Sequence, residues 1–215
     1  MTEPLTTFLE TRLALWQLLR IPYVTPPTED LHEALSEAVS VYSALTGHEI
    51  PPLHPLDSAG ESPEFHRLFI GPAALVAPPF ESVYRSPEQC LMQEETLRVR
   101  SFYRQHGLTL PADLHEPDDH LGYELEFYTH LQRQVIEALA RGESTQAARQ
   151  IHAQQRFYAE HLKQWLPAFC RRLIDGTRSP FYRSLGRITR ELLNTERPVL
   201  AALVTQIPVK EEDAV

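Results

Sequence analysis

Apolar residues recur at helical spacing along almost the whole chain. Leu5, Phe8, Leu9, Leu13, Trp16 and Leu19 stand three and four apart before Pro22 interrupts them, which predicts an amphipathic first helix. A second helix follows the stretch PPTED and carries Leu31, Leu35, Ala38, Val41, Tyr42 and Leu45 as far as Gly47. Residues 48–61, HEIPPLHPLDSAGE, are broken by prolines and read as a loop. The stretch SPEFHRLFIG then predicts a short helix with Ser62 as N-cap, Pro63 at the first helical position and Gly71 as the stop.

Residues 71–84, GPAALVAPPFESVY, are apolar yet cannot form a regular helix, because Pro72, Pro78 and Pro79 remove donors and fix the backbone. Leu75, Val76 and Phe80 must therefore pack on the body of the protein or line a groove. Ser86 and Pro87 repeat the Ser-Pro start for a helix ending at Gly107. The clearest periodicity is Leu121, Leu125, Tyr128, Leu131, Val135 and Leu139, closed by Gly142, with Asp118 or Asp119 capping a helix that starts at His120. Ser144 caps a long helix running towards Asp175, bent or broken at Pro167. A last helix starts near Ser179, and the tail from 209 to 215 reads as disordered. With six to nine helices and no strand pattern, the expected architecture is an all-α, single-domain helical bundle over residues 1–208.

Composition narrows the function. The net charge of -9, from 20 basic and 29 acidic residues, argues against a general nucleic-acid binder and suits cationic partners. Residues 31–45 contain no Arg or Lys, which removes a recognition helix for DNA from the first third of the chain. Cys90 and Cys170 stand far apart without a CxxC pattern, so neither a zinc module nor a disulfide framework is expected. The N-terminal MTEPLTTFLE carries an acid where a secretory signal has basic residues, and no apolar run reaches the roughly 18 residues of a membrane span, so a cytoplasmic protein is expected.

Chemistry concentrates in EPDDH, residues 116–120. Glu116, Asp118, Asp119 and His120 fit an acid/base site by composition, but no nucleophile and no glycine-rich loop accompanies them. Glu116, His120 and Glu124 are spaced by four, as are Glu126 and His130, whereas di-iron bundles use Glu-x-x-His at a spacing of three. Helix capping accounts for an aspartate there, with Pro117 fixing the approach, and still leaves side chains for a ligand.

Three blocks together resemble the cytoplasmic redox-enzyme maturation chaperones of the TorD/DmsD/NarJ family. They are FHRLFIGP, with Phe65, Leu68 and Phe69 before Gly71 and Pro72; PPFESVY, from Pro78; and EPDDH running into LGYELEFY, matching the family's Glu-Pro-x-Asp-His. HLKQWLPAF, from His161, fits more loosely, and the resemblance covers about residues 5 to 195. Phe65 and Phe80 stand where many relatives carry Trp or Tyr, and Tyr128 where Met is common.

The resemblance implies a TorD-like bundle that binds the twin-arginine signal peptide of a molybdenum-cofactor oxidoreductase and assists cofactor insertion before export. The implied partners are that peptide and the apo-form of the catalytic subunit, with no nucleic acid and no membrane insertion. No cofactor, metal or catalytic residue of its own is implied, and the chain is expected as a monomer or homodimer. Phe65, Leu68, Phe69, Pro79 and Phe80 are expected to line the apolar part of the peptide site, and Glu116, Pro117, Asp119 and His120 its polar part. Arg12 is a further candidate by approximate alignment. For Phe65, Leu68 and Phe69, plain core packing is the alternative. For the whole chain, the alternatives are a NarJ-like assembly chaperone for a membrane-bound nitrate reductase, and a small acid/base or metal-dependent enzyme centred on Glu116 and His120.

Overall fold

Two proline-capped runs set the frame. In the computed structural model, which describes residues 3–57, 60–86, 94–111 and 116–207, α1 spans Glu3–Arg20 and passes into a 3-10 turn, Ile21–Tyr23, that holds Pro22. α2 (Glu29–Thr46) starts at Thr28, whose Oγ1 accepts the Leu31 N–H at 3.3 Å. It ends at Gly47, whose left-handed φ of 69° would strain a residue with a Cβ.

α3 (Glu61–Phe65) runs directly into a π turn, His66–Ile70. Its start corrects the sequence expectation. The N–H groups of Gly60 and Glu61 both reach the Asp57 carbonyl, at 2.8 and 3.1 Å, so the chain turns early and Ser62 and Pro63 fall inside the first turn. Gly71, with φ of 105°, ends the segment as expected. The proline stretch that follows contains one short helix, α4 (Glu81–Arg85), which its own periodicity does not announce. α5 spans Glu94–Gln105. Pro87 and Cys90 lie outside the described residues, as does the tail beyond residue 207.

α6 (Leu121–Ala140) has His120 at its N-cap rather than Asp118 or Asp119. α7 (Ser144–Phe157) starts with Glu143 at the cap position, so Ser144 is its first helical residue. The run continues through a π turn, Tyr158–Leu162, into α8 (Lys163–Gly176), and the helix carries on through Pro167. α9 (Pro180–Gln206) begins at Ser179, whose Oγ accepts the Tyr182 N–H at 3.2 Å, with Pro180 in the first turn.

The described residues contain helices and one isolated bridge but no strand, so the all-α expectation holds. α6 packs on α1 and α7, α8 on α9, and α1 on α2. Trp16 meets Tyr128 edge-on at 5.6 Å, and Tyr23, Phe69, Phe169 and Tyr182 form a joined aromatic group deeper in the bundle. A second buried pair of layers, including Leu9, Val135, Ile151 and Leu203, closes the end where α1, α6, α7 and α9 meet. Among the described residues no helix is long and apolar enough to cross a membrane.

Candidate functional site where two motifs meet

The apolar proline stretch and EPDDH, far apart in sequence, are paired in space. Phe80 and His120 form an antiparallel bridge. The Glu81 N–H donates to the Asp119 carbonyl at 3.1 Å, and the Leu121 N–H donates to the Pro79 carbonyl at 2.8 Å. Pairing satisfies backbone groups that Pro78 and Pro79 prevent from entering a helix. The two side chains of the bridge stack as well, the Phe80 and His120 rings meeting edge-on at 5.1 Å.

Asp119 is fully buried. One carboxylate oxygen accepts the Ser82 N–H and the other the Thr96 hydroxyl, both at 2.8 Å. It therefore caps α4 from outside, which explains why five residues after a proline pair turn into a helix at all. Asp118 accepts from Arg100, through Nε at 3.0 Å and Nη2 at 2.5 Å, and its carbonyl accepts the Tyr103 hydroxyl at 3.1 Å. Thr96, Arg100 and Tyr103 are spaced four and three apart, so a single face of α5 holds both aspartates. That spacing was the available signal in the sequence, and it points to α5 as the partner of the PDD turn.

His120 serves its own helix. Its Nδ1 accepts the Gly122 N–H at 3.0 Å, which requires that nitrogen to be unprotonated. Burial, aided by the nearby Arg20 guanidinium, pushes its pKa down to about 4. Gly122 permits the close approach of the 3-10 turn, since a Cβ there would lie 2.3 Å from Val24 Cγ1. Tyr123 is half-buried beside the imidazole, its ring centroid 5.5 Å away, and Glu116 is exposed at the start of the turn.

Behind the bridge lies a sealed group of acids. Glu81 is fully buried, pairs with Arg85, and its Oε2 lies 2.8 Å from His161 Nδ1. Glu124, also fully buried, accepts the Trp165 indole N–H at 3.0 Å. Burial first, and then the carboxyl groups of Glu81 and Asp119, hold Glu124 well above the usual carboxylate range. A raised carboxyl is what a general acid needs. This one is shut behind Trp165, with no surface for a substrate to reach. The described residues contain no group of three or more His, Cys, Asp or Glu side chains placed to hold a metal ion.

The nominated residues thus fall into three positions. Glu116 and His120 reach the surface, Glu116 fully and His120 in part. Pro79, Phe80, Pro117 and Asp119 are buried and shape the turn and bridge. Phe65, Leu68 and Phe69 lie in the core, at 4%, 0% and 3% exposure, where Phe69 packs on Tyr23, Phe169 and Tyr182. Arg12 is wholly buried and ion-paired to Glu196 in the core. Glu81, Thr96, Arg100 and His161 were not nominated from the sequence, and their roles follow from the meeting of α4, α5 and the π turn before α8 with the PDD turn.

Known proteins share both the sequence and the fold. A family model described as nitrate reductase delta subunit matches residues 27–171. The chain is 32% identical over 126 residues to the Tat proofreading chaperone DmsD of Salmonella typhi, covering 59% of this chain and 55% of that protein. It is 29% identical over 143 residues to the chaperone protein TorD of Vibrio cholerae, covering 66% of this chain and 63% of that one. Each alignment spans less than two thirds of the relative's length. A crystal structure assigned to a redox enzyme maturation protein of Archaeoglobus fulgidus superposes with a TM-score of 0.52 at 18% identity, over 86% of this chain and 93% of that one, and shares the fold. By a match that extends over more than half of its length, the chain belongs to the nitrate reductase delta subunit family.

Proposed function

We propose that the chain is a cytoplasmic maturation chaperone that holds the leader segment of a molybdenum-cofactor oxidoreductase while the enzyme is completed, and carries out no covalent chemistry. The observation that supports this most directly is the bridge between Phe80 and His120, which brings two of the three family-like sequence blocks onto one surface. Glu116 and His120 are the contact residues in this reading, and Pro79, Phe80, Pro117 and Asp119 position them. Phe65, Leu68 and Phe69 support the bridge from the core and reach a peptide only if that packing opens. An arginine of the leader gains a carboxylate from Glu116, and a neutral, half-buried imidazole offers it no repulsion. The relatives named as a Tat proofreading chaperone and as TorD support an exported client. The family description favours a second reading, assembly of a membrane-bound nitrate reductase.

The test is a titration with leader peptides of the host's own molybdoenzymes, those carrying twin arginines and that of a membrane-bound nitrate reductase, followed by calorimetry. Binding by the parent protein, weakened about fivefold by Glu116→Gln or His120→Asn with the unfolding midpoint unchanged, is the expected result. Absence of binding to every such leader ends the proposal.

A further inference from the structure

At the bridge Glu116 is an exposed acid, and a leader with arginines and an oily stretch calls for acid and open apolar surface together. Another part of the molecule offers them side by side. Leu5 and Phe8 of α1, Leu45 of α2, and Val199, Ala202 and Leu203 of α9 line a groove of about 480 Å³ at one end of the bundle. Leu45 is 47% exposed and Val41, one turn earlier on the same helix, 42% exposed. These are large apolar side chains that the fold leaves in water, although α2 buries Leu35, Val39 and Tyr42 on its other face against α1.

The same row of α2 continues upstream as acid. Glu33, Glu37, Val41 and Leu45 follow one another at intervals of four, so two exposed carboxylates lead into two exposed apolar side chains. Asp30 adds an acid in the first turn, and α2 contains no lysine or arginine. From Glu33 to Leu45 the row is roughly 18 Å long, the length of about 12 helical residues.

We infer that this face of α2, with the groove between α1, α2 and α9, is a docking surface for a segment that is basic at one end and apolar along the rest. Charge selects that occupant. The chain's own C-terminal residues Glu211, Glu212 and Asp213 are acidic and would be repelled by Glu33 and Glu37. A basic, oily segment complements both halves of the row, its arginines facing the glutamates while its apolar side chains enter the groove in the manner of a helix laid in a cleft. The inference rests on the proposed reading for the nature of the client, and adds to the contacts at Glu116 and His120 a second place for the client's leader that neither the three sequence blocks nor the bridge includes.

The probe is a synthetic peptide of about 18 residues, two arginines followed by a leucine and alanine run. It is titrated against the full chain, the E33K/E37K variant and the V41Q/L45Q variant, all four positions being exposed enough to leave the unfolding midpoint in place. Each variant is expected to bind about tenfold more weakly, and the first also to lose the salt dependence of binding. Parent-like affinity in both variants, with Glu116→Gln alone weakening the complex, overturns the docking surface and leaves the chaperone reading intact. A parent protein that ignores this peptide but binds the host's own leaders overturns the docking surface alone, and one that ignores both removes the chaperone reading as well. A concentration-dependent increase in mass that V41Q/L45Q abolishes assigns the face to a second copy of the chain and overturns the peptide assignment.

Discussion

The carboxylate of Asp119 accepts the backbone N–H of Ser82 at 2.8 Å across 37 positions of sequence. The side chain that the motif nominates for capturing an arginine is thus already spent on the fold, capping a helix it does not belong to. An incoming guanidinium would have to displace both Ser82 and Thr96 to reach it. From sequence alone, Asp119→Ala is expected to weaken peptide binding and spare the fold. Burial reverses the emphasis.

Asp119→Ala is accordingly expected to destabilise the protein by about 3 kcal/mol, since two buried donors lose a charged acceptor. Urea unfolding reads the loss directly. A variant that unfolds with the parent would show that α4 does not depend on this cap.

His120 makes stability fall on the acid side. Its pKa is depressed from 6.5 to about 4 in the fold, so the unfolded chain takes up the proton first. The contribution is complete above 6.5 and is lost as pH falls through about 4. His120→Asn keeps an N-cap acceptor and removes the titration. Unfolding curves across that window should be flatter for the variant than for the parent, and equal slopes would mean that the imidazole is not held neutral.

Glu124 acts in the opposite direction. Its folded pKa lies well above the ordinary 4.5, so the protonated form is the one the fold accommodates. Its contribution is full below 4.5 and declines as pH rises and the unfolded chain gives up the proton. Glu124→Gln retains an acceptor for Trp165 without that penalty. Between about pH 5 and pH 8 the variant should gain stability relative to the parent, by denaturant midpoints at both ends of the range. A loss that grows with pH would contradict it.

Arg12 and Glu196 tie α1 to α9 in the core, at 0% and 1% exposure, with Tyr128 bonded to both. Arg12 Nε and Nη1 and Glu196 Oε2 find no hydrogen-bond partner among the described residues, so the pair does not repay its full desolvation. Glu196→Ala strands the guanidinium and should cost about 3–5 kcal/mol, while Arg12→Met combined with Glu196→Leu should recover most of it. A double variant no better than the single one would show that the ion pair stabilises in its own right.

Periodicity by itself determined the long helices, though not α4, because an apolar stripe at a spacing of three and four has one way to be buried. Trp16 and Leu19 on α1, Leu125 and Tyr128 on α6, and the Pro22, Gly47 and Ser179 boundaries were all legible there. Caps were less legible: EPDDH offers four side chains able to accept an N–H, and local spacing does not say which one turns inward. Only assembly decided that His120 caps α6 while Asp119 reaches across to α4, since the choice depends on where Ser82 and Thr96 come to lie. The same holds for exposure. Phe65, Leu68 and Phe69 share the apolar character of Val41 and Leu45, but the first group is buried while the second is 42% and 47% exposed, and a residue type does not record what packs against it.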